Sequence, residues 1–422
     1  IRNSFIVDEG DPYNEILFNK SINAIKSKNI FAKVESQILP GSNPNFKVIN
    51  LTVEEKPTGE ISLGAGFGTS GGTIGGGIKE NNFLGKGIML DTSLQVSAGS
   101  IKGKFVHVKP NFNYSDNTLY TSVSSVTSDN LTDSGYKTSN IGFSLGTSFE
   151  QYENLFFKPT IKTNYEKLQT TSTATSSLQK QKGNYFDTYF NYSLDYDVRN
   201  KSYQPDEGYR NVFYQEIPVI SDSYEILNSL EHNRYQKISN ILTKVSFYGK
   251  AINTLSGDDV RISKRLFIPE SKLRGFESGR VGPIANGDYI GGNYVSGANL
   301  SAVLPILPSL QNTDFSFFID AANAWGVDYD STIDKKENKI RSATGVAINL
   351  LSPIGPLSFS FAKPITKSSS DRTEFFRFNL GTSFWYNEKN IQILNFFYQL
   401  FFFKYSLIKW EYLLYWYEFY NE

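Results

Sequence analysis

The chain has 422 residues, with 42 basic and 42 acidic side chains and no cysteine. The balanced charge argues against a nucleic-acid-binding face, and the lack of cysteine excludes a disulfide scaffold and thiolate metal sites. The two histidines, His107 and His232, lack the spacing of metal ligands. We expect both to be ordinary surface or lumen residues, and we expect no metal site.

The first 56 residues predict a small α+β module. Asn14–Lys28 places its apolar residues near one helical face, and Phe31–Leu39 and Phe46–Val53 alternate as two strands of a hairpin. Ile1–Val7 resembles part of an earlier helix with no strand before it, so we expect the module to be truncated. An exported protein carries an N-terminal signal, and none precedes the module. We therefore expect the sequence to be a fragment.

From Gly59 onward, short alternating segments indicate many β-strands. Residues 1–384 contain no uninterrupted apolar run of about 20 residues, which a membrane helix requires, whereas 26 Tyr and 33 Phe are present in the whole chain. This profile is typical of a transmembrane β-barrel with aromatic girdles, and a soluble array of β-sandwiches is the alternative. The predicted strands are Glu60–Gly68, Met89–Val96, Phe105–Tyr114, Leu119–Val126, Ile141–Phe149, Lys158–Tyr165, Tyr185–Asp197, Ile241–Ile252, Ala298–Leu304, Asp314–Ala321, Thr344–Leu350, Leu357–Ala362 and Phe375–Phe384.

Polar stretches separate these strands, and a different segment follows them. Leu168–Gly183, Ser221–Arg234 and Val327–Asn338 are interpreted as loops. Residues 385–422 are crowded with aromatic and aliphatic side chains, which Lys404 and Lys409 interrupt. This tail is either an interfacial helix or a non-native extension, and we favour the extension.

Several motifs occur in a specific order along the chain. They are VEEKPTG at Val53–Gly59, NNFLGKG at Asn81–Gly87, LRGF at Leu273–Phe276, FIDA at Phe318–Ala321, SPIGPL at Ser352–Leu357 and FNLG at Phe378–Gly381. In this order the chain resembles the BamA family of outer-membrane protein assembly factors, most closely its alphaproteobacterial members. The resemblance covers residues 1–384.

The resemblance implies a mainly β fold and a membrane function. Residues 1–56 would be most of the last periplasmic POTRA module, and residues 57–384 would form an antiparallel transmembrane β-barrel of about sixteen strands. The protein would insert other β-barrel proteins into the outer membrane of a Gram-negative-type bacterium. Its partners would be unfolded barrel clients, accessory lipoproteins, periplasmic chaperones and outer-membrane lipid, with no nucleic acid and no cofactor.

The same resemblance places the LRGF segment in the barrel lumen. Leu273, Arg274, Gly275 and Phe276 would form the tip of a long loop that folds back inside, with Asp320 as the carboxylate partner of Arg274. A charge inside a narrow lumen needs such a partner, because an unpaired buried charge is costly. The family usually adds a glutamate where this chain has Ser301, so the second partner is open, and Glu277 is a candidate substitute. The alternative is that Arg274 is an exposed loop residue.

The first and last strands form the second candidate site. Gly64, Gly66 and Gly68 lie on the first strand, and glycine weakens strand pairing. The last strand carries Phe376, Phe378 and Phe384. A weak seam between these strands could open as a lateral gate and template a client strand by β-augmentation. The alternative is that the glycines relieve crowding in a sharply curved wall.

Other functions are weighed against this one. A polypeptide exporter of the same superfamily, of the two-partner secretion or autotransporter assembly type, would share the lumen loop and differ upstream. A passive porin would lack the preceding α+β module. The sequence shows no Ser/His/Asp set and no paired carboxylates suited to catalysis, so we expect no enzyme.

Overall fold

The N-terminal module consists of one helix and one hairpin. The computed structural model describes residues 1–385 except 3–4, 7–9, 29, 44–45, 69–70, 202–204, 258, 305–312, 329–337 and 353–354. Helix α1 spans Glu15–Ser27 and is capped by Asn14, whose Oδ1 accepts hydrogen bonds from the backbone amides of Ile16 and Leu17. Strands β1 (Phe31–Pro40) and β2 (Lys47–Glu55) pair antiparallel. The predicted helix and hairpin therefore agree with the structure.

Two predictions concern the chain ends, which the structure describes only in part. The proposed first helix at residues 1–7 falls partly outside the described residues. The tail prediction for residues 385–422 falls outside them except for Trp385, where the last strand ends. Within the described part of the chain, no helix is both long enough and apolar enough to cross a membrane.

Sixteen strands of the described chain form one antiparallel barrel. Neighbours in the wall follow chain order, and the last strand pairs with the first, from Asn379 opposite Gly68 to Trp385 opposite Ser62. The strands are β3 (Gly59–Gly68), β4 (Gly71–Phe83), β5 (Ile88–Ser97), β6 (Ser100–Lys109), β7 (Thr118–Asn130), β8 (Tyr136–Tyr152), β9 (Leu155–Thr170), β10 (Gly183–Asp197), β11 (Gly208–Ile220), β12 (Glu225–Ile238), β13 (Ile241–Thr254), β16 (Tyr294–Leu304), β17 (Thr313–Trp325), β18 (Arg341–Ser352), β19 (Gly355–Thr366) and β20 (Phe376–Trp385).

Some strand predictions need correction. The interpretation of Ser221–Arg234 as a loop is wrong, because β12 begins at Glu225. Strands β4 and β11 were not predicted, and the strand predicted at Phe105–Tyr114 ends at Lys109, before a short 3-10 turn. Strands β4 and β12 have a weak apolar signal, because many of their positions carry polar residues or glycine.

The two faces of the wall differ in chemistry. Along β17, Phe318 and Asp320 are fully buried and face the lumen, whereas the alternate residues Phe317 and Ile319 are exposed on the outside. The same alternation, with apolar side chains outward, recurs around the barrel at Phe143, Ile161, Phe190, Leu230, Phe247 and Leu300. An apolar outer belt around a polar interior is what a barrel in lipid requires, because all backbone groups pair within the wall.

One long loop enters the lumen. Residues 255–293, which we call the lumen loop, connect β13 to β16 and include the short hairpin of β14 (Ile284–Ala285) and β15 (Asp288–Tyr289). Its apolar residues pack against inward-facing wall residues in a buried cluster of Tyr248, Ile268, Leu273, Phe276, Val281, Val295, Ala322, Ala324 and Ala343. Two short helices, α2 (Leu131–Ser134) and α3 (Ser176–Lys180), lie in loops that precede β8 and β10.

Candidate functional site

Arg274 and Asp320 form a bidentate ion pair inside the barrel. Arg274 Nε lies 2.8 Å from Asp320 Oδ2, and its Nη2 lies 2.7 Å from Oδ1. The Arg274 guanidinium also lies over the Phe318 ring, 3.4 Å from the ring centroid. Asp320 is completely buried, so the guanidinium compensates a charge that water cannot reach.

Neutral groups surround this ion pair, including Ser301 at the position where the family usually has a glutamate. Asn299 Nδ2 donates to Asp320 Oδ1 at 2.9 Å, and Ser301 Oγ lies 3.5 Å from Arg274 Nη2. Glu277 does not serve as the second partner, because its carboxylate instead lies 3.5 Å from Arg280 Nε. Among the described residues, Asp320 is therefore the only carboxylate placed against Arg274.

The other three motif residues fix the loop main chain. Gly275 has φ +87°, a left-handed conformation, and a Cβ there would lie 3.0 Å from the Ala362 side chain. Leu273 and Phe276 are almost fully buried in the lumen cluster. The motif thus combines one polar anchor with two apolar anchors around a sharp turn.

A second charged cluster fixes the start of the lumen loop, and the sequence analysis missed it. Arg261 is 2% exposed, and its Nη2 lies 2.9 Å from Asp187 on β10 and 3.4 Å from Glu225 on β12. Its Nη1 lies 3.5 Å from Glu166 on β9. Burial disfavours the charged guanidinium, but the three carboxylates outweigh that effect and hold the pKa of Arg261 above its ordinary value.

A third ion pair joins the start of β18 to the loop before β20. Arg341 at the start of β18 and Asp371 in the 367–375 loop both have completely buried side chains, with Arg341 Nε 3.0 Å from Asp371 Oδ2. Neither this pair nor the Arg261 cluster has a local sequence signature, because the partners are 30 or more residues apart. The one available signal in the sequence was a charged residue at an inward-facing position of a predicted strand.

The glycines of the first strand lie on the seam. Gly64, Gly66 and Gly68 are opposite Ser383, Gly381 and Asn379 of β20. Gly64 is also opposite Gly75 of β4, so glycine is frequent on both strands of this hairpin. At these three positions β3 therefore contributes no side chain to the seam.

The three phenylalanines of the last strand divide between its two edges. Phe384 is opposite Leu63 at the seam. Phe376 and Phe378 are registered only with β19, where their rings lie 5.0 Å from those of Phe361 and Phe359. The described contacts of these two residues are therefore with the neighbouring wall strand, and the described pairing with β3 runs from Asn379 to Trp385.

The described residues offer no evident metal centre. No group of three or more His, Cys, Asp or Glu side chains among them is placed to hold a metal ion. His232 lies on the outer wall, between the rings of Tyr209 and Phe247, with Nδ1 2.6 Å from Asn211 Oδ1.

The chain is similar to known proteins over most of its length. The BamA outer membrane protein assembly factor of Neorickettsia risticii is 24% identical over 398 residues, which cover 91% of this chain and 53% of that protein. That of Nitratidesulfovibrio vulgaris is 21% identical and is covered to 48%. The human sorting and assembly machinery component 50 homolog is 26% identical over 222 residues, or 47% of this chain and 46% of that protein. The chain thus spans about half the length of these relatives.

Solved structures show the same fold. BamA from Haemophilus ducreyi lacking POTRA domains 1-3 has a TM-score of 0.78 at 23% identity, covering 91% of this chain and 81% of that one. CdiB from Acinetobacter baumannii has a TM-score of 0.56 at 14% identity, covering 91% and 71%. The Omp85 superfamily domain matches residues 82–384, which is more than half of the chain and confirms the resemblance seen in the motifs. The chain therefore belongs to the Omp85 superfamily.

Proposed function

We propose that this protein assembles β-barrel proteins and inserts them into the outer membrane of a Gram-negative-type bacterium. The observation that carries the proposal is an Omp85 barrel whose lumen loop is held by Arg274 on Asp320 and whose glycine-bearing first strand closes on the last. Two relatives named as outer membrane protein assembly factors match 90% or more of the chain. The protein acts by strand pairing and lipid perturbation rather than as an enzyme.

The proposed mechanism uses the seam between β3 and β20 as a lateral gate. When the seam opens, each strand exposes unpaired N–H and C=O groups, and a client strand satisfies them by β-augmentation. Glycine in β3 lowers the side-chain contribution to closure, so opening costs less there than elsewhere in the wall. Because a completed barrel pairs all its backbone groups in lipid, client insertion proceeds without a nucleotide.

The N-terminal module completes the proposal. Helix α1 with the β1–β2 hairpin would be most of the last periplasmic POTRA module, on residues 1–56, ahead of the barrel on residues 57–384. Unfolded clients, periplasmic chaperones and accessory lipoproteins would be its partners on the periplasmic side. Lipid would contact the apolar outer wall.

A reversible disulfide across the seam tests this mechanism. The chain has no cysteine, so Ala65→Cys with Thr382→Cys, opposite each other in the register, would create a single possible disulfide. The matched control is Ser122→Cys with Ser144→Cys, an opposite pair between β7 and β8. Each protein is refolded into liposomes, and the insertion of a small unfolded barrel is timed with and without reductant.

The proposal predicts that the unlocked protein accelerates client insertion over empty liposomes. Oxidation of the seam pair should abolish the acceleration, reduction should restore it, and the control disulfide should leave it unchanged. Insertion no faster than in empty liposomes would contradict the proposed function. Insertion that continues through an oxidised seam would contradict the lateral gate and favour a pore or an exporter.

A further inference from the structure

The last strand is joined to the lumen loop as well as to its neighbours in the wall. In the 367–375 loop that leads into β20, Glu374 N donates to Gly275 O at 3.0 Å, and Glu277 N donates to Arg372 O at 3.0 Å. Phe276 and Thr373 thereby form an antiparallel bridge. The turn of the LRGF motif is thus paired, main chain to main chain, with the segment that enters the closing strand.

Arg377 adds a side-chain connection at the same place. It lies on β20, faces the lumen and is 7% exposed. Its Nη2 donates to Phe276 O at 2.7 Å, and its Nη1 lies 3.3 Å from Glu270 Oε1. Glu374 orients the guanidinium by accepting from Nε at 3.0 Å and from Nη2 at 2.8 Å. One side chain therefore ties the closing strand to two points of the lumen loop.

The described pairing of β20 within the wall is short. Among the described residues, β20 pairs with β19 over Phe376–Leu380 and with β3 over Asn379–Trp385, five and seven positions. Within this described pairing, Asn379 and Leu380 have partners on both sides. Arg377 lies in the part of β20 that is paired with β19.

We propose that Arg377 is a positioning residue that couples the lumen loop to the closing strand of the gate. This inference rests on the proposed function and deepens it. With the loop seated on Asp320, Arg377 holds the entry of β20 against the loop, so that movement of the loop and movement of the closing strand are linked. Asp320 anchors the loop to β17, and Arg377 anchors it to β20.

The fork of the guanidinium is needed for this role. Arginine presents five donors in a fixed plane and can contact a carbonyl and a carboxylate at once, whereas a lysine ammonium is a compact charge on a flexible stem. Glutamine at this position would leave Glu270 and Glu374 without their shared cation. It would also leave the Phe276 carbonyl, inside the lumen, without this donor.

Hydrogen exchange of the full chain in liposomes, without any client, tests the coupling. Arg377→Gln should accelerate exchange of the Glu277 and Glu374 amides about tenfold or more, because both lie in the bridge that Arg377 holds. Arg377→Lys should show a smaller increase. The control is Lys363→Gln, which removes an exposed cation from the adjacent β19 and should leave both amides unchanged. Amides of β7 and β8 should be unchanged in every variant.

The outcomes separate this inference from the function on which it rests. Unchanged exchange at Glu277, or an increase confined to β20, would overturn the coupling, because Arg377 would then stiffen only its own strand. A heat-modifiable gel shift reports whether each variant is a folded barrel, and Arg377→Lys carries the test if Arg377→Gln does not fold. Client insertion should also slow in Arg377→Gln, and an unchanged insertion rate despite faster exchange would overturn its role in the gate. If the unaltered chain inserts no client while Arg377→Gln still accelerates exchange, the proposed function is contradicted and the coupling is not.

Discussion

Asp320 accepts hydrogen bonds from both the side chain and the main chain of Arg274. Besides the bidentate guanidinium contact, the Arg274 backbone amide lies 3.0 Å from Asp320 Oδ2. One buried carboxylate on β17 therefore orients the arginine and also the peptide unit that begins the LRGF turn. Asp320 therefore positions the lumen loop through its main chain as well as through the ion pair.

Removal of this carboxylate should loosen the loop. Asp320→Asn keeps the side-chain volume but loses the charge, and we expect a destabilisation of about 2–4 kcal/mol, since a partly buried arginine then lacks its counterion. Urea unfolding of the barrel in detergent measures the loss. Asp314→Asn, an exposed position on the same strand, is the control and should change stability by less than about 0.5 kcal/mol. Equal effects at the two positions would refute the importance of the pair.

A second carboxylate beside Arg274 should strengthen the anchor. Ser301 Oγ lies 3.5 Å from Arg274 Nη2, so Ser301→Glu can supply a charge at the place where the resemblance predicts one. We expect a gain of about 1 kcal/mol in unfolding free energy, offset in part by the proximity of Asp320. Ser301→Gln has the same length without the charge and should give no gain. A destabilised Ser301→Glu protein would show that repulsion between the two carboxylates dominates.

Alanine substitutions at two glycines of the lumen loop distinguish the cost of backbone strain from the cost of steric contact. Gly275 and Gly279 both have positive φ, +87° and +70°, but only at Gly275 would a Cβ meet other atoms, 3.0 Å from Ala362 and 3.3 Å from Ala343. Alanine at either position should cost about 1–2 kcal/mol of strain. Gly275→Ala should cost more than Gly279→Ala by about 1 kcal/mol or more, because the wall must also shift. The difference between the two unfolding free energies is the measurement, and equal values would exclude the close approach.

The buried pair of Arg341 and Asp371 should behave differently from a surface ion pair. Loss of one partner, as in Asp371→Asn, leaves a fully buried guanidinium poorly compensated and should cost about 3–5 kcal/mol. The double variant Arg341→Met with Asp371→Leu should recover much of that loss, since no charge then remains buried. A double-mutant cycle of unfolding free energies checks this, and strictly additive effects would contradict a direct interaction.

Local pattern explains which elements could be predicted. Helix α1 and the β1–β2 hairpin follow from apolar periodicity around an Asn cap, and most wall strands follow from alternation of polar and apolar residues. Strand β12 was missed because its inward residues include Glu231 and Asn233, which give a polar stretch the pattern of a loop. Strand β4 was missed because glycine interrupts the apolar half of its alternation, with Gly72 and Gly76 beside Ile74 and Ile78.

The candidate site divides in the same way. The LRGF motif and Asp320 were singled out by order and resemblance, and the structure brings them within hydrogen-bonding distance. The Arg261 cluster and the contacts of Arg377 with the lumen loop were not, because those partners lie 36 to 107 residues away along the chain. The residues around a charge on a strand do not identify its partner, because strand order and register decide which side chains meet across a lumen.

The sequence by itself determined the class of this protein: a β-barrel with an α+β module before it, in which glycine lies along the first strand and an arginine occupies the turn of a long loop. The barrel, the module and the glycines follow from composition and from periods of two and 3.6 residues, which are properties of neighbouring residues. The place of the arginine in a long loop came from the resemblance to a known family. The tertiary structure decided that β20 is held by the lumen loop as well as by the wall, and that Arg261, Arg274 and Arg377 connect that loop to different strands. Such contacts arise only when the sheet curves around and a loop enters its interior, so they depend on distances that no local pattern contains.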